Sequence, residues 1–176
     1  MKLKTHYVFS TGLISLVIAL LFKISFYDDF VISILVSFLG NTIIDRLGHK
    51  EVVTRFGELP VRTPLTHTFP RSVIWGLIST LPLFFSSYYL YHYGYYYSYD
   101  YYHSLFNVYT LALLIAGIIV GPSHMLLDVF TEKGIYVKKN GKWKRFALVH
   151  YKYDNPLVNG LAIAIGAVML YVAYSL

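Results

Sequence analysis

The chain alternates long apolar runs with short polar connections, and the runs are longer than the buried helices of a soluble domain require. About 18 apolar residues in a row cross the ~30 Å of hydrocarbon in a bilayer. Five segments, about 7–26, 30–47, 72–91, 105–129 and 156–175, fit that length. They predict an all-α fold, a polytopic membrane bundle of about five transmembrane helices, with residues 1–176 forming a single integral membrane domain. The first segment opens behind Lys2 and Lys4, and no small-x-small cleavage site follows it. It therefore reads as a retained span and not as a signal peptide. Pro82 and Pro122 fall inside spans, where membrane helices tolerate proline, and Pro122 is expected to loosen its helix just ahead of Ser123.

The connections carry their own signals. Residues 46–71 contain Gly48, Gly57, Pro60, Pro64 and Pro70, which predicts an irregular loop with short helical pieces. Between Tyr88 and Tyr102, ten of fifteen residues are tyrosine and none is Lys or Arg, so this stretch reads as an interfacial aromatic belt or self-packed cap. Asn140-Gly141 separates two β-prone runs and predicts a small basic β-hairpin over 135–149. Asp154 or Asn155, followed by Pro156, is placed to cap the last helix.

Composition agrees with a membrane protein: 56% of the 176 residues are hydrophobic and 14% charged. With no cysteine, disulfides and thiolate metal sites are excluded, and any bound metal must use nitrogen and oxygen ligands. The net charge of +6 matters through its placement. Two of the fifteen Lys and Arg precede the first span, five lie at 46–71 and seven at 133–152, leaving only Lys23 elsewhere. The positive-inside rule then predicts a cytoplasmic N-terminus and an outside C-terminus, in a cell membrane. These Lys and Arg are read as topology determinants and contacts for anionic lipid headgroups. Nucleic acid is the least favoured partner for the basic hairpin, since topology already accounts for its charge.

That topology gathers chemistry. His6, Asp45, His49, His67, His124 and Asp128 all fall at the predicted cytoplasmic side, while His92, His103 and Asp100 fall on the other. On the second span Asn41, Asp45 and His49 recur every four residues and form one stripe, and His124 and Asp128 share a face of the fourth. A hydrolytic metal site needs about three His or carboxylate ligands and an open position for water. His6, Asp45, His67, His124 and Asp128 supply that chemistry for a divalent metal such as zinc, with Thr66 and Thr68 placed to orient the His67 ring. The plainer alternative is that the same residues hydrogen-bond helix to helix, as polar residues in membrane bundles commonly do.

Thr5-His6 in the first span, Asp45 closing the second, Pro64-Leu-Thr-His-Thr68 opening the third and Gly121-Pro-Ser-His-Met-Leu-Leu-Asp-Val-Phe-Thr-Glu-Lys-Gly134 resemble the YdjM-like family of membrane-bound metal-dependent hydrolases, in an archaeal branch. The resemblance implies a metal-dependent hydrolase in which His6, Asp45, His67, His124 and Asp128 occupy the family's polar positions. Thr131 and Gly134 would form its turn out of the membrane. Two departures accompany it. Arg62-Thr63-Pro64 stands where the family commonly has His-Arg-Gly, and Asp45 stands alone where it has a Pro-Asp-x-Asp cluster. The expected function is hydrolysis of a phosphoester or amide bond at the bilayer surface. Metal ligation falls to His67, His124 and Asp128, ligation or water activation to Asp45, and ligation or orientation to His6.

Overall fold

A computed structural model describes residues 1–55, 57–94 and 108–176. Five helices, α1 (Leu3–Leu21), α2 (Phe26–Gly48), α3 (Phe69–Gly94), α4 (Val108–Asp128) and α5 (Pro156–Ser175), are joined by two hairpins. Four of them, α1, α2, α4 and α5, are long and apolar enough to cross a membrane. The third expected span corresponds to α3, which continues through Pro82. The expected aromatic cap at 88–102 runs from the end of α3 into residues outside those described, as do His103, Asp100 and the start of the fourth expected span.

The first break falls earlier than the hydropathy suggests. Helix α1 stops at Leu21, and α2 starts at Phe26 because the Ser25 hydroxyl caps it, accepting from the Asp28 amide at 3.2 Å. The connection is therefore 22–25 and not 27–29. At the other end of the chain Asn155 is the N-cap of α5, accepting from the Leu157 and Val158 amides, with Pro156 in the first turn.

The loop at 46–71 is a correction. Residues His49–Thr54 (β1) and Gly57–Arg62 (β2) form an antiparallel hairpin, not an irregular loop with helical pieces. Its prolines and glycines were the misleading signal. Gly57 sits at φ +112° in the return, and Pro60 is acceptable in a two-stranded ribbon, where half the amides need no partner. The expected second hairpin forms as β3 (Ile135–Lys139) and β4 (Lys142–Phe146), with Asn140 and Gly141 both at positive φ, 52° and 75°. Those angles are what a two-residue turn between strands demands.

Helix packing follows membrane rules, in which close backbone approach replaces hydrophobic segregation. Helices α1 and α5 run parallel. Asn159 Oδ1 accepts from Thr5 Oγ1 at 2.6 Å and from the Lys2 amide at 3.0 Å, and seven residues along each helix Gly12 meets Gly166. A methyl group on Gly12 would run into the Gly166 carbonyl, and one on Gly166 would lie 2.7 Å from the Val8 carbonyl. Helices α3 and α4 run antiparallel, with Gly121 on Ser72 and Gly76 on Gly117. An apolar core of Ile14, Ile18, Val36, Ala112, Leu113, Ala116 and Val120 fills the middle of the bundle.

This arrangement brings the start of α1, the end of α2, the start of α3, the end of α4 and the start of α5 to one end of the molecule, together with both hairpins. Fourteen of the fifteen Lys and Arg belong to segments at that end. The glycine contact gives a direct test. Gly166→Val should lose about 1–3 kcal/mol of stability by overpacking. Gly160→Ala, on the same helix with nothing within 4 Å of an added Cβ, should be neutral or slightly stabilising. Thermal unfolding of the two variants in detergent checks the contrast.

Candidate metal centre

The site is built where three helix ends and one loop converge. Asp45 lies in the last turn of α2, His124 and Asp128 lie one turn apart at the end of α4, and His6 lies near the start of α1. His67 sits in the short loop between β2 and α3. All five residues expected from the sequence are brought together. His6, His67, His124 and Asp128 are fully buried, and the Asp45 side chain keeps 22% exposure.

Four atoms alternate around a ring. Asp45 Oδ1 lies 3.7 Å from His67 Nε2 and 3.4 Å from His124 Nε2, and Asp128 Oδ2 lies 3.7 Å and 3.2 Å from the same two nitrogens. Ligand atoms of a tetrahedral ion bound at about 2.1 Å stand roughly 3.4 Å apart, and these four neighbouring pairs have spacings of that size.

The protons on the two rings can be assigned from their other partners. Asn41 gives its amide hydrogens to Ser37, so its Oδ1, 2.8 Å from His124 Nδ1, accepts and that nitrogen carries the hydrogen. The Thr66 hydroxyl spends its only hydrogen on the Ile44 carbonyl at 2.9 Å, so at 2.8 Å it must accept from His67 Nδ1. Neutral rings in these tautomers leave both Nε2 lone pairs facing carboxylate oxygens. His67 Nε2, His124 Nε2 and Asp128 Oδ2 are buried without a hydrogen-bond partner. Acceptors turned on acceptors are unfavourable unless they share a cation or a ring nitrogen between them is protonated. Burial, reinforced by the charge of Arg62, holds the His67 ring down to about 4 against the opposing pull of Asp45 and Asp128. Its lone pair is therefore available for ligation at neutral pH.

The other oxygen of Asp128 is fully engaged. Oδ1 accepts from Arg62 Nη2 at 2.7 Å and from the Met1 amino group at 3.0 Å, with His6 Nε2 at 3.4 Å. His6 stacks on His124, ring centroids 3.9 Å apart and planes at 12°, and neither of its nitrogens has a hydrogen-bond partner. Stacked in this way, His6 lies against His124 and offers a ligand atom within 4.8 Å of those of His124 and Asp128.

Several site residues escaped the sequence reading. Arg62, grouped there with topology determinants and lipid contacts, is 6% exposed and binds Asp128 and the Gly134 carbonyl. Only the strand that carries it inward reveals this. Asn41 was visible as part of the α2 stripe but not as the partner of His124. His49, on the same stripe, packs its ring edge-on to His67 and donates from Nδ1 to the Asp45 carbonyl at 2.6 Å. Asp45, His49 and His67 form one group able to hold a metal, and His6, His124 and Asp128 form another. Thr68 does not orient His67: its hydroxyl accepts from the Arg71 amide at the start of α3, and Thr66 alone does the orienting. Thr131 and Gly134 do form the expected turn. The Thr131 hydroxyl donates to the Asp128 carbonyl at 2.8 Å, and Gly134 takes φ +57° beside the Phe146 carbonyl.

Helices long and apolar enough to span a bilayer, ending in a buried His and Asp cluster that could hold a metal, define a helical protein of membrane-spanning type with a candidate metal centre. Residues 1–127 match the family model described as Protein of unknown function (DUF1286), and the chain belongs to that family. No curated protein and no solved structure matches it.

Removing the group that aims an imidazole should weaken metal affinity without removing a ligand. Asn41→Leu, close in volume but unable to accept from His124 Nδ1, should lower affinity by about 10–100-fold while the protein stays folded. Competition against a metal-sensitive dye measures it, and unchanged affinity would mean that packing alone holds the ring.

Proposed function

We propose that this protein is a membrane-bound metal-dependent hydrolase whose centre holds one divalent ion of the zinc type between Asp45, His67, His124 and Asp128. The observation that carries the reading is the alternating ring: two lone-pair-bearing Nε2 atoms and two carboxylate oxygens, 3.2–3.7 Å apart, three of them buried without another partner. An ion there would supply an acidified water as nucleophile. Asp45, the most exposed of the four, is the group placed to receive a proton from that water, and the buried three anchor the site. Arg62 keeps Asp128 Oδ1 occupied, so Oδ2 is the oxygen left for the ion. The substrate is a phosphoester or amide presented at the bilayer surface. The clustering of Lys and Arg at this end favours five spans with the site and N-terminus cytoplasmic and the C-terminus outside. The resemblance to YdjM-like hydrolases supports the same reading.

A second reading draws on the direct bonds between elements: Ser10 to Ser123 at 2.6 Å and Asn41 to His124 between helices, and Arg62 of β2 to Asp128 of α4. On it the cluster clamps helix ends and does no chemistry. The two part on metal. The hydrolase reading expects about one zinc, manganese or iron ion per chain in detergent-purified protein, lost in His124→Ala and Asp128→Asn, with thermal stability falling when chelator is added. Metal-free protein whose stability ignores chelator, yet drops in His124→Ala, would overturn it in favour of the clamp.

A further inference from the structure

The geometry points to a phosphoryl group, not a neutral amide, as what the metal centre accepts; this inference rests on the metal reading above. The anions of the site are two, Asp45 and Asp128, and Arg62 at 2.7 Å and the Met1 amino group at 3.0 Å already sit on Asp128. His67 and His124 enter as neutral ligands, since their Nδ1 hydrogens go to Thr66 and Asn41. A divalent ion added to two carboxylates, one guanidinium and the Met1 amino group leaves an excess of positive charge. That charge lies where water has little access, so an anion is needed to balance it. A phosphate ester brings negative charge with it, whereas with a neutral amide the balance would fall to metal-bound hydroxide alone.

The approach to the centre has the same sign. Among the described residues of the site, Asp45 and His49 are the ones open to solvent, at 22% and 25% of their side-chain surface, so a ligand arrives past them. The residues that follow each of them, Arg46 and Lys50, are exposed. The β3–β4 hairpin presents exposed Lys138, Lys139, Lys142, Lys144 and Arg145 at the same end of the molecule. Cationic walls around a low-dielectric site raise the local concentration of anions and speed their arrival. A phosphoryl group borne on a lipid headgroup and one free in solution present the same chemistry to the ion.

The test uses the full chain loaded with cobalt, whose visible absorption reports the ligands around it. Inorganic phosphate should change that absorption, N-methylacetamide should not, and phosphate should bind about tenfold or more weakly to Arg46→Gln/Lys50→Gln, with cobalt uptake unchanged. In nanodiscs, a response to added phosphatidate in phosphatidylcholine, stronger than that to inorganic phosphate, would assign the phosphoryl group to a lipid; the reverse order would assign it to a soluble ester. Normal cobalt uptake with no response to either phosphoryl probe, or an equal response to the amide, overturns this inference alone. Failure to take up cobalt at all overturns the metal reading and this inference with it.

Discussion

The structure at its hairpin end depends on one carboxylate, that of Asp128, whose two oxygens have different surroundings. Oδ1 accepts from Arg62 and the Met1 amino group, while Oδ2 faces two imidazoles without a hydrogen bond. A fully buried carboxylate is strongly unfavourable unless compensated, and removing its partner leaves an uncompensated charge. Arg62 provides that compensation, which draws β2 onto the end of α4. From Arg62 the connections continue outward. Its second Nη donates to the Gly134 carbonyl at 2.9 Å, and its own carbonyl accepts from the Tyr136 hydroxyl at 2.9 Å. The Tyr136 amide in turn binds the His67 carbonyl at 2.8 Å. Both hairpins are thus fastened to the loop that carries His67, and an ion pair in the core of the site also organises its outer cover.

The helices solve a related problem deeper in the bundle. Apolar side chains gain little from meeting one another when lipid is equally apolar, so helix association relies on close packing and on polar groups that satisfy each other. Gly12 on Gly166 and Gly121 on Ser72 permit backbone contact, and Ser10 with Ser123 and Thr5 with Asn159 pair across helices. At the end away from the hairpins, the buried Asp29 is matched the same way, accepting from Ser15 at 2.7 Å and Ser33 at 2.9 Å. The Ser10–Ser123 bond ties α1 to α4 beside the stacked His6 and His124, so the helix interfaces and the site are one construction.

Much of this was legible residue by residue. The i, i+4 spacing of His124 and Asp128, and of Asn41, Asp45 and His49, states which side chains share a helix face. The apolar lengths and the distribution of Lys and Arg state which segments end together. Asn140-Gly141 and Asn155-Pro156 announce a turn and a cap through local backbone preference alone. The hairpin at 49–62 was hidden because prolines and glycines mark both loops and the turns of short ribbons. Arg62 was hidden because a cation in a basic connection resembles its neighbours until a strand turns it inward.

The sequence by itself determined that the chain makes long apolar helices and that five metal-capable side chains sit at their matching ends, because hydropathy and helical period are local properties. Only the tertiary structure decided which oxygen of Asp128 is taken by Arg62 and which faces the imidazoles. It alone decided that Asn41 and Thr66 set the tautomers of His124 and His67, and that Thr68 serves a helix instead. These are contacts between residues many positions apart, fixed at the scale of an ångström by how whole helices and hairpins pack, and no spacing along the chain encodes them.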